Sequence, residues 1–377
     1  MLPSGGDYGA RLAALLPTIS AALKAGKVSG ALFVVVDGLG WANLRSRAAT
    51  VSGLVPAACA QNLHDLTAKR IETVAPSTTA AALTSITTGK LPGEHGLLGY
   101  RMLDPDTRQI KTTLSDWQHV TNFRDWQRSQ TVFEQLSAAG IVARVYGRKA
   151  HAHSDFTQAV LTGAEYVATA TIEDRLLAAL AQLRDVGGLA YVYIDELDKA
   201  GHEAGWGTEL WLHRLCQLDT AIGDVLAGLS NKYGFALTAD HGMVNIPKTG
   251  QRQIEELGCI PEGTLIGGEP RFRSLYLPDP EQAEHVVAEL KAVEGGSLLV
   301  GTKAQWLHAG VFGAVDPENT DRIGDVLFSS RKRVAYYTEN EKPEVRLMVG
   351  QHGGFDDDER GVPLLTAGAW RARFPFA

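Results

Sequence analysis

Six side chains able to bind a metal sit at the ends of apolar runs or just beyond them. They are Asp37 after "FVVV", Asp198 and His202 in "DKAGH", Asp240 and His241 in "ADHG", and His352 in "QHGG". Carboxylate and imidazole together suit Zn²⁺ or Mn²⁺ far better than Ca²⁺. Three Asp and three His are what two ions a few ångströms apart require if each keeps a position open for substrate. Asp198 and His202 are four residues apart, which places both on one face of a helical turn. In "DHG" the glycine is expected to turn the chain sharply, so that Asp240 and His241 aim at one ion. Taken singly, an Asp-Gly after a strand is a turn signal and a histidine is a cap or a core residue. Their joint occurrence favours the two-metal reading. The pair His151 and His153 follows "GRKA" in what reads as a loop, and is expected to be solvent-exposed rather than a further site.

A second chemical feature is "TVAPSTTAAALTSITTGK", residues 73–90, where Ser77, Thr78 and Thr79 stand ahead of an Ala-rich helical run. A hydroxyl there faces free N–H groups and the positive end of the helix dipole, a cradle for phosphate. A metal ion on its oxygen would lower the hydroxyl pKa and yield a nucleophile at neutral pH. Cap and nucleophile can be neighbours: Ser77 or Thr78 could cap while Thr79 attacks.

The elements that must position these groups are short, continuous apolar runs at 31–38, 141–147, 189–196 and 234–242. Such runs fit a parallel sheet covered on both faces. Between them lie helical patterns, "QTVFEQLSAAG", "IEDRLLAALAQLRDVGG" and "TELWLHRLCQLDTAIGDVLAGL" among them. The alternation predicts a doubly wound, mostly parallel α/β sheet, whose ligands bind beyond the carboxyl ends of the strands. Three of the four runs end on carboxylates there: Asp37, Asp195 with Asp198, and Asp240. Residues 250–345 are richer in Gly and Pro and read as an inserted small α+β cap. Residues 1–249 and 346–377 would form the core.

The chain has 377 residues, 45% of them hydrophobic and 21% charged, with a formal net charge of −7. That balance argues against nonspecific binding to nucleic acid or to an anionic membrane. Three cysteines without C-x-x-C spacing predict a reducing compartment with no disulfide framework, and no cysteine zinc site. No signal peptide or membrane-spanning run is legible, so a cytoplasmic location is expected.

In order, "VVVDGLG", "PSTTAAALTSITTGKLPGEHG", "DELDKAGHEAG", "TADHGM" and "QHGG" resemble the alkaline phosphatase superfamily. They are most similar to its nucleotide pyrophosphatase/phosphodiesterase branch, over about residues 31–245 and again at 347–357. The resemblance implies an alkaline phosphatase-like core and two divalent ions, Zn²⁺ or Mn²⁺. Asp37, Thr79, Asp240 and His241 would surround one ion; Asp198, His202 and His352 would hold the other. Thr79 would attack phosphorus in line and form a covalent intermediate. Asp195 falls where the family usually has Glu, and is expected to support the ligands from behind. Ala80 replaces an aromatic common after the nucleophile, and no Asn occurs between Thr79 and Asn122. Tyr100 or Arg101 are therefore candidate substrate contacts, together with Trp206, Trp41, Arg148 and the insertion's "PRFRSLY".

The implied substrate is a small-molecule nucleotide phosphodiester, with cyclic di-AMP among the candidates. The alternatives are a phosphonoacetate hydrolase or a phosphomonoesterase of the same superfamily. The Cys-x-Pro-x-Arg motif of sulfatases is missing, and a phosphoglycerate mutase would use Ser and a different Asp/His set. A silent nucleotide sensor would have no need of Thr79 beside six ligands.

Overall fold

The computed structural model describes residues 2–3, 6–46, 59–115, 117 and 123–376, and Asn122 lies outside them. Its strands, in chain order, are β1 (Gly30–Val36), β2 (Thr67–Glu72), β3 (Ala143–Gly147), β4 (Glu165–Ala168), β5 (Gly188–Ile194) and β6 (Tyr233–Thr238). The insertion adds β7 (Leu265–Glu269), β8 (Phe272–Tyr276), β9 (Leu298–Thr302) and β10 (Val326–Ser330), and β11 (Gly361–Gly368) closes the series. The helices used below are α1 (Thr79–Thr88), α2 (Asp155–Val160), α3 (Ile172–Asp185), α4 (Glu196–Ala204), α5 (Glu209–Gly228) and α6 (Ala283–Glu294).

Seven strands form one sheet in the order β2-β11-β6-β1-β5-β3-β4. Only β11 runs against its neighbours; β6, β1, β5, β3 and β4 pair in parallel. All seven residues of β1 are buried, which fits a central strand covered on both faces. Its register sets Val36 opposite Ile194 and Val35 opposite Thr238. Three adjacent parallel strands therefore end level, and the residues after them open on a common edge. The α/β doubly wound architecture read from the sequence is the one observed.

The insertion carries a four-stranded antiparallel sheet, β7-β8-β10-β9. One face packs under α6 through Leu275, Val286, Leu290 and Phe328. Its other face is continuous with the main core, where Phe272, Trp306, Phe312 and Leu327 are buried. Arg271 and Arg273, offered above as substrate contacts, are instead fully buried ion-pair residues. Arg271 meets Glu359 at 2.7 Å and Asp356 at 2.8 Å; Arg273 meets Glu341 at 2.7 Å. Arg273 on β8 and Arg271 in the turn before it both place their guanidinium groups inside, where only a carboxylate makes their burial tolerable.

The expectation of unpaired cysteines is overturned. Cys59 and Cys216 form a disulfide, with Cα atoms 5.1 Å apart, and Cys259 is free. The pairing spans 157 residues of sequence. It arises because the helix Gln61–His64 packs on α5, where Leu63 N–H donates to Asp219 at 2.9 Å. The argument for a reducing compartment loses its basis. Among the described residues no helix is long and apolar enough to cross a membrane.

Arg271→Met keeps much of the side-chain volume but strands Glu359 without its cation. It is expected to destabilise the fold by about 3–5 kcal/mol. A lowered urea midpoint with unchanged slope would show this.

Candidate active site

Asp37 follows β1, and its N–H donates to Ile194 O at 2.8 Å. Asp198 lies in the first turn of α4, after β5; Asp240 and His241 follow β6. Gly38, at φ 73°, brings the chain past Asp198 so closely that a Cβ there would lie 3.1 Å from that residue. Gly242 works differently from the sharp turn expected of it. Its φ is not positive; it is needed because a Cβ would fall 1.9 Å from Asp358 O. The return segment 350–360 thereby comes up against the Asp240–His241 loop.

Two groups of side chains converge here and could each hold a metal ion: Asp37, Asp240 and His241, and Asp198, His241 and His352. Within each group the ligand atoms lie within 4.8 Å of one another. His241 Nε2 is 3.3 Å from Asp37 Oδ1 and 3.6 Å from Asp240 Oδ2. His202 Nε2 is 3.3 Å from Asp198 Oδ2, across the predicted helical turn. The rings of His241 and His352 stack at 3.7 Å, and His202 lies 5.2 Å from His352. All six residues read as ligands are thus brought together. His241 is common to both groups.

The three imidazoles are oriented alike. Nδ1 of His202 lies 2.8 Å from Gly350 O, that of His241 3.1 Å from Gly242 O, and that of His352 3.0 Å from Ser77 O. A carbonyl at Nδ1 fixes the proton there and leaves the Nε2 lone pair to face the site, as for metal-bound histidines. Burial lowers the pKa of His241 and takes that of His352 far down, so both rings are neutral.

The carboxylates carry the opposite strain. Burial raises the pKa of Asp37, reinforced by Asp240 and Asp198. It also raises those of Asp198 and Asp240. Tyr193 hydroxyl donates to Asp37, Gly38 N–H donates to Asp240 at 3.2 Å, and Thr73 hydroxyl donates to the Asp240 carbonyl. Even so, one oxygen of each carboxylate (Asp37 Oδ1, Asp198 Oδ1 and Asp240 Oδ2) is buried without a hydrogen-bond partner. Buried carboxylate oxygens without donors fit a divalent cation.

Thr79 opens α1, with its Oγ1 3.1 Å from His241 Nε2. Thr78 occupies the cap position, but its side chain makes no cap hydrogen bond. Nor does Ser77 cap. Its hydroxyl donates to Gly354 O at 2.8 Å and accepts from Gly353 N–H at 3.2 Å, tying the segment ahead of Thr79 to the "HGG" loop. The first-turn N–H groups of α1 are therefore left for an anion rather than a cap.

The insertion contributes a residue that sequence reading missed. Glu269, at the end of β7, is buried against this same junction; its carboxylate accepts Tyr100 N–H at 2.6 Å and hydrogen-bonds Thr78. Burial pushes its pKa up to about 7. The only sequence cue was an acid inside the otherwise uncharged stretch "LIGGEP".

Asp195 takes the cap position of α4, just ahead of Asp198. Burial opposes its charge, yet hydrogen bonds from His151 and Lys199 hold its carboxyl below the ordinary carboxylate range. His151 is thus half-buried at 2.8 Å from Asp195, not a free surface residue, because its ring packs edge-on to Tyr193. His153 is exposed. Arg148 also points at Asp195, at 3.4 Å. Arg101 pairs with Glu341 at 3.3 Å. Trp206 packs on Trp211, its N–H bonded to Asn245, and Trp41 stacks with Arg45. A cavity of about 220 Å³ opens beside Thr79. Tyr100, Arg101 and Trp206 are not among its lining residues.

Residues 31–355 match the family model described as type I phosphodiesterase / nucleotide pyrophosphatase. No curated protein sequence matches the chain. Among solved structures, murine ectonucleotide pyrophosphatase / phosphodiesterase 5, an inactive form in complex with AMP, superposes with a TM-score of 0.68 at 16% identity. That match covers 92% of this chain and 90% of the murine one. Phosphonoacetate hydrolase from Sinorhizobium meliloti 1021, in complex with phosphonoformate, gives 0.67 at 20% identity, over 92% and 93% of the two chains. At these identities the likeness is one of fold.

Asp37→Asn is expected to act in opposite directions with and without metal. In chelator the variant should melt above the parent, because a buried charge repelled by two others is gone. With Zn²⁺ or Mn²⁺ a hundredfold above its dissociation constant, the parent should gain about 2.7 kcal/mol. The variant should gain less, as scanning calorimetry would measure.

Proposed function

The chain belongs to the type I phosphodiesterase / nucleotide pyrophosphatase family, and from that premise we propose that it hydrolyses phosphodiester bonds of small molecules, with Thr79 as nucleophile between two divalent ions. The observation that carries this reading is the position of Thr79. Its hydroxyl heads an uncapped helix and touches His241, which is shared by both Asp/His groups.

Asp37, Asp240, His241 and Thr79 would hold one ion, and Asp198, His202 and His352 the other. When bound, the ions would lower the pKa of the threonine hydroxyl and offset the charge on the phosphoryl oxygens. Zn²⁺ and Mn²⁺ both suit this mixed oxygen and nitrogen donor set. Oγ1 of Thr79, its proton released to solvent, attacks phosphorus; as the Thr79 phosphoester forms, the bond to the leaving oxygen breaks and that oxygen takes up a proton from water. Water then cleaves that ester and restores the hydroxyl. The first-turn N–H groups of α1 face the phosphoryl oxygens throughout. Asp195, held by Lys199, His151 and Arg148, steadies the start of α4 and so the pair Asp198 and His202.

A small dianionic acid such as phosphonoacetate is the competing substrate, since a hydrolase of that acid shares the fold. The cavity at Thr79 speaks against it, because its described lining residues include no Lys or Arg.

The test is turnover by metal-loaded protein on bis-p-nitrophenyl phosphate, p-nitrophenyl phosphate, phosphonoacetate, ATP, diadenosine polyphosphate and cyclic di-AMP. Diesters should be preferred, and Thr79→Ala should lower kcat/KM at least about 10³-fold with ligand binding retained. Preference for the monoester or for phosphonoacetate would leave the threonine site in place and overturn the diester assignment.

A further inference from the structure

The cavity beside Thr79 is enclosed by α1, α2 and the face of the sheet that carries β3, β4 and β5. Its wall is largely hydrocarbon, with Leu83, Leu114, Phe156 and Val160 among the contributors. Several polar residues also reach it, yet almost all are already engaged. Tyr193 hydroxyl donates to Asp37, and Tyr166 hydroxyl donates to Arg148 O at 2.8 Å. His151 is bonded to Asp195, and Ser154 and Thr157 are bonded to each other. Among the described residues of the wall, the Tyr191 hydroxyl is buried without a partner.

Two consequences follow for what can enter. A nucleobase would bring several donors and acceptors into a space whose described polar groups are mostly engaged already, and each group left unpaired there is penalised. An alkyl or aryl group loses nothing polar and gains burial. Size agrees: a dry apolar cavity of about 150 Å³ holds benzene, so 220 Å³ fits a phenyl ring or a short alkyl chain. A whole nucleoside demands more room than that.

Position decides which part of the substrate enters. In an in-line displacement the leaving oxygen stands opposite the attacking one. A cavity that opens at the attacking Thr79 cannot also receive the departing group. We propose that this cavity binds the retained ester group of the substrate, and that this group is a compact alkyl or aryl chain rather than a nucleoside. The assignment rests on Thr79 being the nucleophile of a phosphodiesterase.

A series of p-nitrophenyl phosphodiesters that share one leaving group and differ in the retained ester tests it on the metal-loaded protein: methyl, propyl, pentyl, phenyl and 5′-thymidyl. From methyl to pentyl, kcat/KM should rise roughly fourfold per methylene, the transfer value of one buried CH₂. Phenyl should rank with the longer alkyls, and thymidyl no higher than methyl. Val160→Phe, which fills the cavity, should flatten the rise. A flat series in the wild type, or thymidyl at the top, overturns the assignment, and Thr79-dependent turnover in that same series leaves the phosphodiesterase reading intact. The wild-type series decides even if Val160→Phe fails to fold. Absence of turnover on every ester would instead sink the phosphodiesterase reading. Calorimetric binding of pentyl against methyl phosphate then judges the cavity alone: tighter binding of the pentyl compound supports the assignment, and equal binding overturns it.

Discussion

Three carboxylates of one sign, the buried Asp37 and Asp240 and the half-buried Asp198, are the constraint to which this site is built. At an effective dielectric near 20, two unit charges about 4 Å apart repel by about 4 kcal/mol, a sizeable part of the stability of an ordinary domain. The sheet register gives them no means of separating, because β6, β1 and β5 are adjacent and end level. Donors relieve only part of this. Tyr193 serves Asp37, and the Gly38 N–H serves Asp240, while an oxygen on each carboxylate stays bare. Cations are the remaining remedy, and the three histidines, with Nδ1 tied to backbone carbonyls, are turned to share in binding them.

A metal centre also needs ligands that arrive from far along the chain. His352 is 111 residues beyond His241 in the numbering, across the whole insertion. Ser77 supplies the connection. By bonding both Gly353 and Gly354 it docks the "HGG" loop on the segment that delivers Thr79. Glu359 holds the same loop from the other side, accepting Gly354 N–H at 2.9 Å while paired with Arg271 of the insertion. The segment that carries Thr79, the "HGG" loop and the insertion are thereby one hydrogen-bonded unit.

The Asp and His residues that converge were legible in the sequence because each sits at the end of an apolar run or at helical spacing, both of which are local patterns. Asp198 with His202, and Thr79 at the head of an Ala-rich helix, could be placed from a few neighbouring residues. What escaped was pairing at long range. Ser77 looks like a helix cap until Gly353 is brought to it. Arg271 and Arg273 look like surface or substrate-binding cations until Glu359 and Glu341 arrive. Cys59 gives no hint of Cys216, and His151 resembles a loop residue until Asp195 appears beside it. In each case the deciding partner lies far away in sequence, so no local pattern records it.

The insertion reads from sequence as a cap, but its packing makes it part of the scaffold. To swing away, it would expose Phe272, Trp306, Phe312 and Leu327, which are buried in the main core. It would also part Arg271 from Glu359, both fully buried. Separating a buried ion pair of this kind costs about 3–5 kcal/mol, and the four apolar side chains add about 1.5–3 kcal/mol each. An opening that expensive would be rarely populated. Glu269 gives the same answer from the site: a lid would not be expected to lodge a buried carboxylate against Thr78 and the Tyr100 N–H at the head of α1. The insertion therefore stands as a fixed wall beside the site, packed into the core and ion-paired to it.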